Sequence, residues 1–66
     1  MSSGNRAQPR FLRLPEVREM TGLSTSTIYR WMTEGTFPKQ IAIGANSVVW
    51  WESDVTKWME QRIGAQ

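Results

Sequence analysis

Residues Leu12–Gly35 read LRLPEVREMTGLSTSTIYRWMTEG, and this stretch sets the fold. Pro15 suits the first turn of a helix, where its missing N–H costs nothing. Glu16 and Glu19 favour the positive N-terminal end of that helix. Val17 and Met20 fall on one side of it, with Leu14 just before them. Gly22 ends it, because glycine takes the left-handed conformation without strain. Ser24 then serves as N-cap of a second helix. Leu23 before that cap and Ile28 four residues after it are arranged as a hydrophobic staple. The second helix runs from Ser24 to about Glu34, with Gly35 as its C-cap and Pro38 blocking extension. At about 100° per residue, Ile28, Trp31 and Met32 share one face. Ser26, Arg30 and Thr33 lie opposite, flanked by Thr27 and Tyr29. Two short helices joined at Thr21-Gly22-Leu23 form the pattern of a helix-turn-helix.

Downstream, Gln40–Ile43 and Ser47–Trp51 are β-rich runs joined by Gly44-Ala45-Asn46, a β-hairpin signature. Alternation puts Ile41 and Ile43 on one face of the first strand, and Val48 and Trp50 on one face of the second. Trp51 falls opposite Trp50, either on the surface or over the last helix. Ser53 is read as the cap of that helix, with Asp54 in its first turn. Val55, Trp58, Met59 and Ile63 follow helical spacing, and Gly64–Gln66 are expected to fray. Upstream, Phe11–Leu14 is a short apolar strand-like lead-in. Residues 1–10 lack apolar periodicity and read as a flexible N-terminal arm. The arm is either a plain tail or a basic arm that sets Arg6 and Arg10 on phosphate. The expected organisation is this arm followed by one domain over residues 11–66. The fold class is small α+β, a winged helix-turn-helix with the hairpin as wing and a C-terminal helix.

Sixty-six residues allow one domain with a small core. The chain has no cysteine and no histidine, which excludes disulfides and the common Cys/His zinc sites. Four tryptophans supply apolar area that staples supply elsewhere. The net charge of +2 is mild, but its distribution is uneven. Residues 1–40 hold six basic and three acidic groups, whereas residues 41–66 hold two and three. The positive field therefore lies on the half that carries the two-helix unit. No apolar run approaches the roughly 18–20 residues of a membrane span, and no secretory leader is read in the first ten residues. The expected location is the cytoplasm, at the nucleoid.

The chemistry this pattern supports is contact with double-stranded DNA. A recognition helix must be held by a supporting helix while its exposed face enters a major groove about 12 Å wide. Val17, Leu23, Ile28 and Trp31 supply the inward set. Ser26, Thr27 and Arg30 supply an outward set for base edges and phosphates, and Arg30 can pair bidentately with guanine or clamp a phosphate. Ser24 and Thr25 lie at the helix N-terminus, where free N–H groups favour phosphate. Tyr29 either joins that surface or packs on the hairpin. Lys39 and Gln40 lead into the hairpin, and Asn46 and Ser47 form its tip, in reach of phosphate or minor groove. The other reading of the hairpin is that it only completes the core. Catalysis finds little support: the six carboxylates are scattered, and no Gly-rich phosphate loop is present. No cofactor is expected, and the chain is not read as an enzyme.

The combination TGLSTSTIYR with EGTFP, then GANSVVW and SDVTKW, resembles the AlpA-type phage and prophage regulators over about residues 11–63. These are small winged-helix proteins related to the MerR-like DNA-binding domain and to phage excisionases. The resemblance implies a sequence-specific DNA-binding regulator of a prophage or mobile element, or an excisionase that directs recombination. It also implies Thr25, Ser26, Thr27, Tyr29 and Arg30 as readers on a recognition helix over Ser24 to Glu34. Family wings often carry arginine near the tip and in the following strand, where this chain has Asn46 and Val49. That departure implies weaker wing contact, offset by self-association or tandem binding on DNA. An integrase is a further expected partner. From another class, a module that binds a repressor or integrase without touching DNA is the alternative.

Overall fold

Element boundaries in the computed structural model, which describes residues 10–64, follow the punctuation of the sequence. The arm expected over residues 1–10 lies, apart from Arg10, outside the described residues. Helix α1 spans Leu14–Thr21, with Pro15 in its first turn and the Arg13 N–H donating to Glu16 Oε1 at 2.8 Å. Gly22 closes it at φ 75°, its N–H donating to the Arg18 carbonyl at 2.8 Å. The Thr21 hydroxyl fixes the turn from both sides. It donates to the Val17 carbonyl at 2.7 Å and accepts the Leu23 N–H at 3.2 Å. Helix α2 spans Thr25–Glu34 and ends at Gly35 with φ 82°. The Gly35 and Thr36 N–H groups donate back to the carbonyls of Met32 and Trp31, satisfying acceptors the helix leaves open.

Three strands form one antiparallel sheet: β1 Phe11–Leu12, β2 Ile41–Gly44 and β3 Ser47–Trp51, in the order β1-β3-β2. Phe11 pairs with Trp51 and Leu12 with Trp50. Ile41 pairs with Val49, Ala42 with Val48 and Gly44 with Ser47, so the register shifts at Ile43. That extra residue is a bulge, which bends the strand and interrupts its ladder. Strand β3 runs straight into helix α3, Glu52–Gly64. The cap read for Ser53 is not used. The helix starts at Glu52, two residues earlier than that cap implies, and the Glu52 N–H is satisfied by the Arg10 carbonyl at 2.8 Å as the strand ladder runs out. Ser53 is left exposed in the first turn. Strand, helix, helix, hairpin and helix follow in the order the sequence suggests, in a small α+β fold of three helices and a three-stranded sheet.

One face of the sheet meets all three helices. Leu12, Val17, Ile28, Phe37, Trp50 and Val55 form the buried core, drawing at least one residue from each helix. Leu14, Met20, Leu23, Trp31, Met32, Trp58 and Met59 pack around it half-buried. Two indoles pin the connection between α2 and β2. Trp50 Nε1 donates to the Pro38 carbonyl at 3.1 Å, and Trp58 Nε1 to the Thr36 carbonyl at 2.6 Å. Between those anchors Phe37 is buried, edge-on to Trp58 at 4.8 Å. Among the described residues no helix is long and apolar enough to cross a membrane.

Gly22 tests the turn. A Cβ added there would meet nothing within 4 Å, so the cost of Gly22→Ala is backbone strain alone. We expect a loss of about 1 kcal/mol, a fall in Tm of roughly 4–8 °C for a domain this size. Thermal circular dichroism checks it, and an unchanged Tm would remove the left-handed turn.

Candidate nucleic-acid interface

Helix α2 carries most of the residues singled out above. Its N-cap gathers three of them through one hydroxyl. Ser24 Oγ accepts the Thr27 N–H at 3.2 Å, donates to Thr27 Oγ1 at 3.0 Å and lies 3.4 Å from Ser26 Oγ. Ser26 is exposed, while Thr25 and Thr27 are half-buried. The first turn of α2 holds no acidic residue, so nothing there opposes an anion at its N-terminal N–H groups. Arg30 is exposed one turn further on and takes part in no ion pair among the described residues. Thr33 adds less than its position suggests, because its hydroxyl donates back to the Tyr29 carbonyl at 3.1 Å.

Tyr29 does two things. Its ring stands edge-on to Trp50 with centroids 6.3 Å apart, which realises the packing against the hairpin. It remains 38% exposed, so part of the ring still reaches solvent beside Arg30. The orientation of α2 thus depends on Ile28 in the core and on two aromatic contacts. These are Tyr29 on Trp50 and Trp31 on Trp58, the latter at 6.1 Å. The Arg62 guanidinium covers both indoles of the second contact, 5.2 Å from the Trp31 ring and 4.8 Å from that of Trp58.

The hairpin residues stand apart from this set. Lys39 is exposed two positions before β2, Asn46 is exposed in the turn, and Ser47 is half-buried at the start of β3. Among the described residues no hydrogen bond or ion pair links them to α2. Arg10, read as a phosphate contact, is engaged elsewhere: Nη1 lies 3.1 Å from Glu52 Oε2 and Nη2 lies 3.9 Å from Glu16 Oε2. It staples β1 to the starts of α1 and α3. Sequence reasoning missed Phe37 and the carbonyls of Thr36 and Pro38, which position α2 and the hairpin. The signal was the Phe-Pro step after Gly35, a short apolar break too brief to form an element. Among the described residues no group of His, Cys, Asp or Glu could hold a metal ion.

Comparison with known proteins places the chain in a class of phage-borne regulatory proteins. Residues 10–63 match the family described as Prophage CP4-57 regulatory protein (AlpA). The chain is 49% identical over 59 residues to "Uncharacterized protein ORF88" of Enterobacteria phage P4, covering 89% of this chain and 67% of that relative. It is 41% identical over 64 residues to "DNA-binding transcriptional activator AlpA" of Escherichia coli (strain K12), covering 88% of this chain and 91% of that relative. The chain belongs to the AlpA family of prophage regulatory proteins.

Ser24 should matter to stability before it matters to any ligand. Removing its oxygen by Ser24→Ala leaves the Thr27 N–H without its cap and should cost about 1 kcal/mol. A chemical denaturation curve measures this; an unchanged midpoint would mean that water replaces the cap fully.

Proposed function

We propose that this protein is a sequence-specific double-stranded DNA-binding transcriptional regulator of prophage origin, built as a winged helix-turn-helix. Helix α1 is the supporting helix, α2 the recognition helix and the β2–β3 hairpin the wing. The observation that carries this is the outer face of α2: Ser26 and Arg30 exposed, Tyr29 partly so, and an acid-free N-terminus ringed by hydroxyls. Support also comes from the relative whose name describes a DNA-binding transcriptional activator. In this reading Arg30 reads a base edge or clamps a phosphate. Ser26, with Thr25 and Thr27, contacts the backbone at the helix start, and the Tyr29 edge packs along the groove wall. Lys39, Asn46 and Ser47 contribute through the wing, weakly, since Lys39 is their one charge. The reaction is binding alone and needs no cofactor.

Enrichment of fragmented host DNA on the purified protein, followed by mapping of the retained fragments, tests this. Retention at a promoter fits a regulator, retention at an integrase attachment site fits a recombination directionality factor, and no retention at low salt favours a protein-interaction module. On a mapped site, Arg30→Ala should weaken binding by about 1–3 kcal/mol. Unchanged affinity by fluorescence anisotropy would take Arg30 out of the interface. Ser24→Asp separates folding from contact. Aspartate caps a helix about as well as serine, so the melting curve should hold. Its negative charge beside a phosphate should still lower DNA affinity, and equal affinity would move the phosphate away from the cap. Binding should also weaken steeply with salt, as released counterions require.

A further inference from the structure

We propose that Arg62, in the last turn of α3, is a positioning residue that holds the C-terminal half of α2 in its DNA-reading direction, acting through Trp31. This rests on the reading of α2 as a recognition helix, which the test checks separately. Trp31 follows Arg30 directly in the sequence, and the two diverge: Arg30 is exposed, while Trp31 packs against the core. Whatever fixes the Trp31 ring therefore fixes the direction in which Arg30 leaves the helix. Few other groups do so at that end. Ile28, the fully buried residue of α2, lies nearly a turn earlier, and Tyr29 rests edge-on against Trp50 beside it. Beyond them the inward residues, Trp31 and Met32, are half-buried.

The ring that Trp31 meets is itself anchored. Trp58 Nε1 donates to the Thr36 carbonyl at 2.6 Å. The Thr36 N–H and hydroxyl both donate to the Trp31 carbonyl, at 2.9 and 3.3 Å. One loop residue thus ties the backbone end of α2 to the Trp58 ring. The Trp31 ring makes no hydrogen bond among the described residues. It stands 6.1 Å from Trp58 at a tilt of 45°, and the Arg62 guanidinium lies over both rings, 5.2 and 4.8 Å from their centroids. Both distances are within the roughly 6 Å reach of a cation–π contact. Arg62 is exposed and takes part in no ion pair among the described residues, so its removal opens no core cavity and strands no carboxylate. The ordinary role of a last-turn cation is to balance the helix dipole, which lysine does as well. Stacking on two indoles at once calls for the planar guanidinium instead of a point charge. Without that plane, the order at the end of α2 has to be supplied on binding, at the expense of affinity.

The experiment compares the full chain with Arg62→Ala, Arg62→Lys and Lys57→Ala, all confirmed folded by circular dichroism. Lys57 is the control for charge: it is exposed and lines the same groove between α3 and the α2–β2 connection. Amide hydrogen exchange of the free proteins reads the clamp without DNA. Exchange at Arg30–Glu34 should quicken about twofold to fivefold in both Arg62 variants, the size expected of a guanidinium over exposed indoles, and keep its wild-type rate in Lys57→Ala. Unchanged rates in the Arg62 variants overturn the proposal. So does equal quickening at Val17–Thr21 in α1, which would make Arg62 a general stability residue. On a duplex carrying a site mapped by the fragment enrichment, both Arg62 variants should bind about twofold to fivefold more weakly, with the wild-type slope of log affinity against log salt. Wild-type affinity in Arg62→Lys, or an equal loss in Lys57→Ala, would leave charge alone as the role of Arg62 and overturn the positioning. A slope shallower by about 0.9 in Arg62→Ala would make Arg62 a phosphate contact and overturn it as well. A wild type that retains no DNA at low salt overturns the DNA reading instead, and amide exchange still decides whether Arg62 holds α2.

Discussion

The burial of Trp50 is the constraint on which the rest of the structure depends. Its ring is fully inaccessible at the centre of the sheet's inner face, its indole N–H is spent on the Pro38 carbonyl, and its edge receives Tyr29 from α2. An indole brings both a large apolar area and a donor that must find a partner when buried. The Pro38 carbonyl meets that demand only if the α2–β2 connection turns back over the core. One side chain therefore ties the middle strand, the connection and the second helix into a single arrangement. In a chain of 66 residues, where the core is small, such multiple use of one residue substitutes for volume.

Helix α2 is the element that most needs this. Only Ile28 on it is fully buried. The rest of its inner face, Trp31 and Met32, is half-buried, and its position is completed by the Trp31–Trp58 and Tyr29–Trp50 contacts. A helix held by a few large rings rather than by a deep apolar stripe keeps most of its surface outward. That suits a helix whose outer side chains read another molecule, because rigid aromatic supports fix its direction while leaving its polar face free.

The caps, turns and periodic faces were legible in the sequence because each rests on a local rule. Gly22 and Gly35 stand where left-handed backbone is needed, Ser24 caps α2, and the hairpin falls where its β-rich runs predict. What local rules could not give was the destination of groups satisfied from afar. Ser53 looked like a cap, but the Glu52 N–H takes its partner from Arg10, 42 positions back in the chain. Arg10 looked free for phosphate, yet the same β1–β3 pairing brings it beside Glu52. Phe37 was assigned to no element, yet it is in the core, between the Thr36 and Pro38 carbonyls that accept the two indole N–H groups. On the candidate interface, the exposure of Ser26 and Arg30 followed from helical periodicity. The back-bonding of Thr33 did not, since a hydroxyl's choice between solvent and the preceding turn is not written in spacing.

The dipeptide Trp50-Trp51 divides the molecule between two tasks. Adjacent strand residues point to opposite faces, so Trp50 turns toward α2 and Trp51 toward the outer face with Phe11. An outward strand position in a small monomer tolerates a polar residue at little cost, and a three-stranded sheet can keep its outer face solvated. Here the four residues of β3 other than Ser47 are apolar, and Phe11, Ile41 and Trp51 stand on the outer face. The two faces share a backbone but no side chains.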